Sequence, residues 1–222
     1  MSRENREDPP VPINSLLQLR MPEHIRAAVP DDPAELERRR EEREERKRRV
    51  WLDAALDVAR LRCVRFICEN PDAKSLALDV TKDWYESKDH PHLLLRGTTG
   101  TGKSVAAAWL VRERVNPDRK GSKAIAWLYP DDVCSAVMHA WSDTAPKLAP
   151  FVVVDELGTE TRPEFTTALS RLLDRDGTRV LFTTNLSAAD FLARYGKDER
   201  FTSRAGGAVR VEDIAGRDRR KR

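Results

Sequence analysis

Short apolar runs alternate with helix-like stretches over the second half of the chain. The runs predict strands at His92–Arg96, Lys123–Tyr129, Phe151–Val154, Val180–Phe182 and, more weakly, Ala208–Val211. The stretches between them predict helices at Lys103–Val115, Asp131–Trp141, Glu164–Asp174 and Ala188–Tyr195. Continuous apolar runs are typical of strands covered on both faces, as in parallel sheets whose crossovers are helices. We therefore predict an α/β fold with a parallel sheet between two layers of helices.

The first 90 residues have a different pattern. Residues 1–33 contain six prolines among polar residues, which predicts a disordered or extended arm. The run Ala34–Arg49 is almost wholly charged, with acids and arginines four apart, and predicts an exposed helix that continues as far as Pro71. A second short helix is predicted from Ala73 to Trp84. The predicted organisation is thus an arm (1–33), a helical region (34–90), an α/β core (91–216) and a basic tail (217–222).

Composition restricts the classes of protein that this chain can belong to. The 222 residues are 40 % hydrophobic and 35 % charged, which suits one domain of ordinary size with some additional chain. No apolar run approaches the roughly 20 residues that span a bilayer, and the N-terminus has no signal-like apolar stretch. Three cysteines form no paired framework and no zinc pattern. We expect a soluble, cytoplasmic protein with reduced thiols.

The net charge is only +3, and its excess lies at the C-terminal end. Residues 198–222 contain eight basic and five acidic side chains, whereas basic and acidic residues balance in the rest of the chain. Such an end can meet nucleic-acid phosphates, although a short basic tail is more often simply solvated.

A phosphate-binding loop follows the first predicted strand. The eight residues Gly97, Thr98, Thr99, Gly100, Thr101, Gly102, Lys103 and Ser104 fit the pattern G-x-x-x-x-G-K-[ST] at every defined position. Its glycines let successive backbone N–H groups turn toward phosphates, and the following helix adds its positive end. In this chemistry Lys103 reaches the β- and γ-phosphates of ATP, and the Ser104 hydroxyl is a ligand of Mg²⁺.

Two acids end the third predicted strand. Asp155 can hold Mg²⁺ through water, and Glu156 can orient or deprotonate the water that attacks the γ-phosphate. The fourth predicted strand leads to Asn185 at the same edge of a parallel sheet, where it can hydrogen-bond that water or the γ-phosphate. The alternative for Asn185 is a turn residue before a helix that Ser187 caps.

Arg200 and Arg204 are four residues apart and would share one face if this stretch is helical. An arginine delivered to the γ-phosphate of a neighbouring subunit would stabilise the charge of the transition state. Charge alone favours a solvated surface pair over this role.

Together the phosphate loop, VVVDELG, LFTTNLS, YGKDERFTSRA and VRVEDIAGRDRR resemble the DnaC/IstB branch of AAA+ ATPases, the bacterial helicase loaders and transposition helpers. The similarity covers about Leu93 to Arg220. It implies a three-layer P-loop NTPase fold of the AAA+ type. It makes Gly97–Ser104 the Walker A loop, Asp155 and Glu156 the Walker B pair, and Asn185 the sensor 1 residue. Arg204 becomes the arginine finger, with Arg200 as its accessory.

The resemblance also implies partners. Family members act as ring or spiral oligomers, bind single-stranded DNA and contact a protein partner such as the replicative helicase through an N-terminal region. Residues 1–50 match no known loader domain, so the partner is left open between a helicase and a transposase. We expect no full helical lid of the AAA+ kind, and Arg217 or Arg220 could replace its phosphate-sensing arginine.

Residues alone give a weaker indication of nucleic-acid binding. Basic side chains with aromatic neighbours suit a single strand, and the segment after the phosphate loop contains such a set: Arg112, Arg114, Arg119, Lys120, Lys123, Trp127 and Trp141. Trp127 lies in a predicted buried strand, where a core role is the simpler interpretation. We predict an Mg²⁺-dependent ATPase that acts as a helicase loader in DNA replication. The alternatives are a transposition helper and a nucleotide-gated adaptor with negligible turnover.

Overall fold

The computed structural model describes residues 33–59, 61–87, 89–116, 125–139 and 149–216. The predicted arm, except for its last residue, and the basic tail with Arg217 and Arg220 lie outside these residues. The chain divides into two compact units, residues 1–47 and residues 48–222. In the first unit, the charged helix contains an ion pair between Arg39 and Glu35 at 2.8 Å and another between Lys47 and Glu44 at 3.3 Å. Exposed pairs of this kind each stabilise a helix by about 0.2–0.5 kcal/mol.

Once the sheet begins, one or two helices connect each strand of the second unit to the next strand along the chain. The helices are α1 (Pro33–Val58), α2 (Arg62–Glu69), α3 (Leu76–Glu86), α4 (Lys103–Arg114), α5 (Pro130–His139), α6 (Phe165–Leu173), α7 (Ala188–Tyr195) and α8 (Glu199–Ala208). The strands are β1 (His92–Arg96), β2 (Ile125–Leu128), β3 (Phe151–Leu157), β4 (Arg179–Thr184) and β5 (Val209–Asp213). All five strands run parallel in the order β2-β3-β4-β1-β5.

Alternate residues of the strands enter two separate hydrophobic clusters. Leu93, Leu95 and Leu181 belong to the cluster that contains the buried side chains of α1 to α4. Leu94 and Phe182 belong to the cluster that contains those of α5 to α8. Because successive side chains of a strand point to opposite faces, these are the two faces of one sheet. The predicted α/β fold, a parallel sheet between two layers of helices, is confirmed.

The predicted continuous helix from residue 34 to Pro71 is wrong in one respect. The chain leaves the helix after Val58 and resumes it at Arg62, with Leu61 extended at φ −107° and ψ 149°. No glycine or proline marks this break in the sequence. The interruption makes α2 a separate helix that buries Val64 and Ile67 in the first cluster.

The carboxyl ends of β1, β3 and β4 lie side by side because these strands are neighbours and parallel. β4 stands between β1 and β3, with Thr184 aligned with Arg96 on one side and with Leu157 on the other. The phosphate-loop motif, the two acids and Asn185 all come at these strand ends. The topology thus brings the phosphate loop, Asp155, Glu156 and Asn185 to one edge of the sheet.

Candidate functional site

The phosphate loop connects β1 to α4 and depends on glycine backbone geometry. Gly97, Gly100 and Gly102 have φ values of 155°, 84° and 94°. A Cβ on Gly97 would lie 2.3 Å from the carbonyl oxygen of Ile214, which is too close for any side chain. Gly102 is the N-cap of α4, so the loop runs directly into the positive end of that helix.

Lys103 is buried at the centre of this loop, with only 6 % of its surface exposed. Its Nζ donates to the carbonyl oxygens of Gly97 at 2.7 Å and Thr98 at 2.8 Å, and it lies 3.0 Å from Oδ1 of Asn185. The ammonium therefore joins the loop to the end of β4. This arrangement holds a positive charge where a phosphate bound by the loop N–H groups would lie.

Asp155 lies at the end of β3, facing the first turn of α4. Its Oδ1 accepts a hydrogen bond from Ser104 Oγ at 3.3 Å and from Thr183 Oγ1 at 2.5 Å. Burial raises the pKa of the Asp155 carboxyl, the Thr183 hydroxyl opposes that rise, and the charge of Glu156 adds to it. A bound cation would favour the ionised carboxylate.

The oxygens of Ser104 and Asp155 suit Mg²⁺, which prefers hard oxygen ligands and is commonly held by one or two protein groups, phosphates and water. Among the described residues, no group of three histidines, cysteines or acids could enclose a metal by itself. The donor set therefore fits a magnesium ion that is bound together with a nucleotide.

Glu156 has a left-handed backbone, with φ 67°, the one positive φ among the described non-glycine residues. It sits at an irregularity of β3, where the register with β4 shifts between Val154 and Leu157. The backbone is held there by Thr183 Oγ1, which accepts from the Glu156 N–H at 3.1 Å, and by Thr159, whose hydroxyl donates to the Glu156 carbonyl at 2.8 Å. Such a conformation costs about 1–2 kcal/mol. The bulge leaves the side chain of Glu156 exposed and lining the cleft beside the loop.

The cleft has a second wall that the sequence did not predict. A cavity of about 370 Å³ lies between the phosphate loop and the first helices of the second unit. The wall residues from α2, α3 and their connection are Cys63, Phe66, Ala73, Lys74, Ser75 and Leu78. Ser75 caps α3 by accepting from Leu78 N at 3.1 Å, and a Cβ on Gly102 would meet its Oγ at 3.3 Å. An apolar wall beside a phosphate loop provides a surface for a nucleotide base.

Arg200 and Arg204 are not among the residues that line this nucleotide cleft. Both lie on α8, a helix that the sequence pattern did not predict, and line a different cleft against α6. Arg204 Nε forms an ion pair with Asp174, and its NH1 donates to the Arg200 carbonyl at 3.1 Å. The structure therefore does not bring these two arginines into the nucleotide cleft of their own chain.

In the described part of the predicted DNA-binding segment, basic side chains pack against aromatic rings of the same chain. The guanidinium of Arg112 lies 5.3 Å from the ring centre of Trp51, and that of Arg114 lies 4.3 Å from the ring centre of Phe151. Trp127 is half-buried against the first hydrophobic cluster, as the core interpretation predicted. The rest of the set, Arg119, Lys120, Lys123 and Trp141, lies outside the described residues.

The fold and the loop together define a class, the P-loop NTPases. None of the helices within the described ranges has the length and apolar character needed to cross a membrane.

Comparison with known proteins gives matches among solved structures alone. No family model and no curated protein matches the chain. It is similar to DnaI, with 19 % identity, 67 % of this chain and 88 % of that chain covered, and a TM-score of 0.48. It is similar to a primosome component from Streptococcus pyogenes serotype M3 (24 % identity, 64 % and 78 % covered, TM-score 0.46) and to the DnaC helicase loader (18 %, 64 % and 92 %, TM-score 0.46). At these levels of similarity, any functional assignment depends on the residues of the site.

Proposed function

We propose that this protein binds ATP with Mg²⁺ and hydrolyses it. The observation that carries the proposal is the direct hydrogen bond between Asp155 Oδ1 and the Oγ of Ser104, which lines the cleft together with Lys103. A P-loop serine and a strand-end aspartate are the protein groups that hold Mg²⁺ in this chemistry. Their contact supports the proposal that both would hold the same ion.

Nucleotide binding would use both walls of the cleft. The loop N–H groups and the start of α4 receive the phosphates, and Lys103 supplies a positive charge to the β- and γ-phosphates. The base lies against Phe66 and Leu78 of the opposite wall. Ser104 and Asp155 would hold Mg²⁺, and the ion would supply positive charge to the phosphate oxygens.

Hydrolysis would use Glu156 as the base. Its exposed carboxylate accepts a proton from a water molecule as the water oxygen bonds to the γ-phosphorus, and the bond from that phosphorus to the bridging oxygen breaks. ADP leaves with the bridging oxygen, and inorganic phosphate is the other product. Asn185 orients the water or the γ-phosphate, and Arg204 of a second copy stabilises the transition-state charge, with Arg200 assisting.

We further propose that the chain works in the cytoplasm in DNA replication as a helicase loader. In this proposal residues 91–216 form the ATPase core of a homo-oligomer, and turnover is coupled to single-stranded DNA and to a partner such as a replicative helicase. The support is the motif series from Lys103 through Asn185 to Arg204, which resembles the DnaC/IstB branch. A transposase as the partner would favour the transposition-helper alternative.

The test measures ATP binding by equilibrium dialysis, with and without Mg²⁺, for the wild type, Lys103→Gln and Ser104→Ala. We expect Lys103→Gln to weaken binding at least about tenfold, because the cleft loses its central charge. Ser104→Ala is expected to remove most of the Mg²⁺ dependence. Unchanged affinity in Lys103→Gln would overturn the nucleotide site. Single-stranded DNA that leaves turnover unchanged would overturn the coupling to DNA and favour the adaptor.

A further inference from the structure

The turn at the end of β3 has two residues with a left-handed backbone, Glu156 at φ 67° and Gly158 at φ 104°. A strained conformation such as that of Glu156 persists only where surrounding contacts hold it. The Glu156 carbonyl oxygen accepts hydrogen bonds from the Thr159 N–H at 3.3 Å and from the Thr159 hydroxyl at 2.8 Å. Both bonds lie within the turn, so contacts with other elements must fix its position in the fold.

Glu160 makes such a contact through a buried carboxylate, since its side chain is only 7 % exposed. Its Oε2 accepts a hydrogen bond from the backbone N–H of Gly158 at 2.9 Å. Its Oε1 accepts the Tyr195 hydroxyl at 2.7 Å and forms an ion pair with Arg194 Nε. Arg194 Nη2 also donates to the Glu160 carbonyl oxygen at 3.1 Å. One carboxylate therefore joins the turn after β3 to the last turn of α7.

The attachment point on α7 is itself held by packing. Tyr195 is 1 % exposed, and its ring centre lies 6.4 Å from that of Phe165 on α6, 4.8 Å from that of Phe191 and 5.7 Å from that of Phe201 on α8. Burial raises the pKa of the Tyr195 phenol, and the hydrogen bond to Glu160 raises it further. The phenol thus stays protonated at neutral pH and donates to Glu160 from a fixed position.

Gly158 lies directly against the residue that follows Asn185. A Cβ on Gly158 would be 2.8 Å from Leu186 Cδ1, so the backbone of the turn rests on the Leu186 side chain. Glu156 and Asn185 both line the nucleotide cleft. The bond from Glu160 to Gly158 therefore restrains the placement of Glu156 relative to Asn185.

We propose that Glu160 is a positioning residue for ATP hydrolysis, whose carboxylate holds Gly158 against Leu186 and thereby aims Glu156 and Asn185 at one water molecule. Glu160 is not among the residues that line the nucleotide cleft, so it acts through the backbone of the turn. This role rests on the proposed function, because it concerns the hydrolytic step. ATP binding, which uses the phosphate loop, does not depend on it.

The kinetic test compares Glu160→Met and Glu160→Gln in the full chain, with kcat and the ATP dissociation constant measured separately at saturating Mg²⁺. Methionine has a similar length and removes both oxygens. Glutamine keeps one oxygen that can accept the Gly158 N–H, while its NH₂ group can donate to the Tyr195 oxygen. We expect Glu160→Met to lower kcat about ten- to a hundredfold, because small misplacements of reacting groups are costly. ATP affinity should change less than about twofold, and Glu160→Gln should keep kcat within about threefold of the wild type.

Two control variants separate positioning from a general loss of stability. Arg194→Gln removes the ion pair and leaves the bond from Glu160 to Gly158, so kcat should stay within about threefold of the wild type. Glu164→Met removes an exposed acid four residues further along the chain and should leave kcat unchanged. An equal fall of kcat in Arg194→Gln, or a joint loss of kcat and ATP affinity in Glu160→Met, would show a merely structural role and overturn the proposal. Unchanged kcat in Glu160→Met would overturn it as well.

Amide hydrogen exchange at Gly158, measured by NMR, tests the link without relying on turnover. We expect Glu160→Met to speed this exchange at least about tenfold, because the N–H loses its buried acceptor, and Glu160→Gln and Glu164→Met to leave it near the wild-type rate. Unchanged exchange in Glu160→Met would overturn the link.

The two measurements also separate this proposal from the proposed function. Fast Gly158 exchange in Glu160→Met, together with no ATP turnover by the wild type, would refute hydrolysis and the role of Glu160 in it, and leave only the structural link. Wild-type turnover that Glu160→Met retains would refute the positioning role and leave hydrolysis standing. Melting curves check that each variant folds. If Glu160→Met does not fold, Glu160→Asp replaces it, because the shorter carboxylate keeps the charge and cannot reach both Gly158 and Tyr195.

Discussion

His92 lies buried at the start of β1, and its contacts lead us to predict that the folded protein loses stability in acid. His92 is 1 % exposed, and its Nδ1 accepts the N–H of Val180 at 3.2 Å while Nε2 faces the carbonyl oxygen of Leu173 at 3.4 Å. Because the carbonyl only accepts and the N–H only donates, the ring must be neutral with its proton on Nε2. Burial lowers the pKa of His92 from 6.5 to about 4.

The magnitude follows from linkage. As the pH falls from 6.5 toward 4, the unfolded chain binds a proton at this position and the folded chain does not, so folding stability falls. The pKa of His92 falls from 6.5 in the unfolded chain to about 4 in the folded chain. At 1.36 kcal/mol for each pH unit, the folded protein loses about 3 kcal/mol of stability in total. Between pH 7.5 and pH 5 the loss is about 2 kcal/mol.

The assay is urea unfolding of the wild type and of His92→Gln at both pH values. Glutamine can donate and accept but does not titrate, so the other ionisable groups cancel in the difference between the two proteins. We expect the stability advantage of the wild type to shrink by about 2 kcal/mol at pH 5. Parallel pH profiles would show that His92 titrates normally in the folded chain and would refute the reasoning.

Three further substitutions, one of them with a matched control, test the loop, the bulge and a half-buried cation. Gly97→Ala should lower the free energy of unfolding by about 3 kcal/mol or more in urea titrations, because its Cβ would clash with the Ile214 carbonyl. Its control is Gly206→Ala in α8, where a Cβ meets open space, and which should raise the free energy of unfolding by about 0.5–1 kcal/mol. Glu156→Gly should gain about 1 kcal/mol by relieving the positive φ and lose ATP turnover; a loss of stability would contradict the strain. Arg179→Met should cost about 3 kcal/mol, since the guanidinium donates to three carbonyl oxygens at the C-terminal end of α3, those of Trp84, Tyr85 and Ser87. A calorimetric melting point near that of the wild type would contradict this.

The parts of the fold that carry strong local patterns could be predicted from the sequence. The apolar runs located β1, β3 and β4, because strands buried on both faces leave a continuous apolar signal. They also located the edge strands β2 and β5, whose residues are mostly half-buried or exposed. The loop motif located the start of α4 at Lys103. β3 extends past its predicted end at Val154 to Leu157, because the chain continues through a bulge that no periodicity reveals.

Contacts between elements that are distant in the chain could not be predicted from the sequence. Phe66 and Ser75 line the nucleotide cleft because α2 and α3 pack beside α4, a placement that their local pattern does not encode. The left-handed backbone of Glu156 was equally hidden, since a glutamate normally avoids it. The pairing of Arg204 with Asp174 joins two helices 30 residues apart in sequence. The functional roles of Asn185 and Arg204 stay predictions.

The most direct test of the ATPase assignment is the turnover of ATP by the purified chain and by Glu156→Gln over a series of protein concentrations with Mg²⁺. The account predicts that wild-type turnover per molecule rises with protein concentration, because Arg204 acts on the nucleotide of a second copy. It predicts that Glu156→Gln binds ATP with similar affinity and hydrolyses it at least about a hundredfold more slowly, as expected for loss of a general base. Equal turnover by the two proteins, or none by the wild type at any concentration, would contradict it.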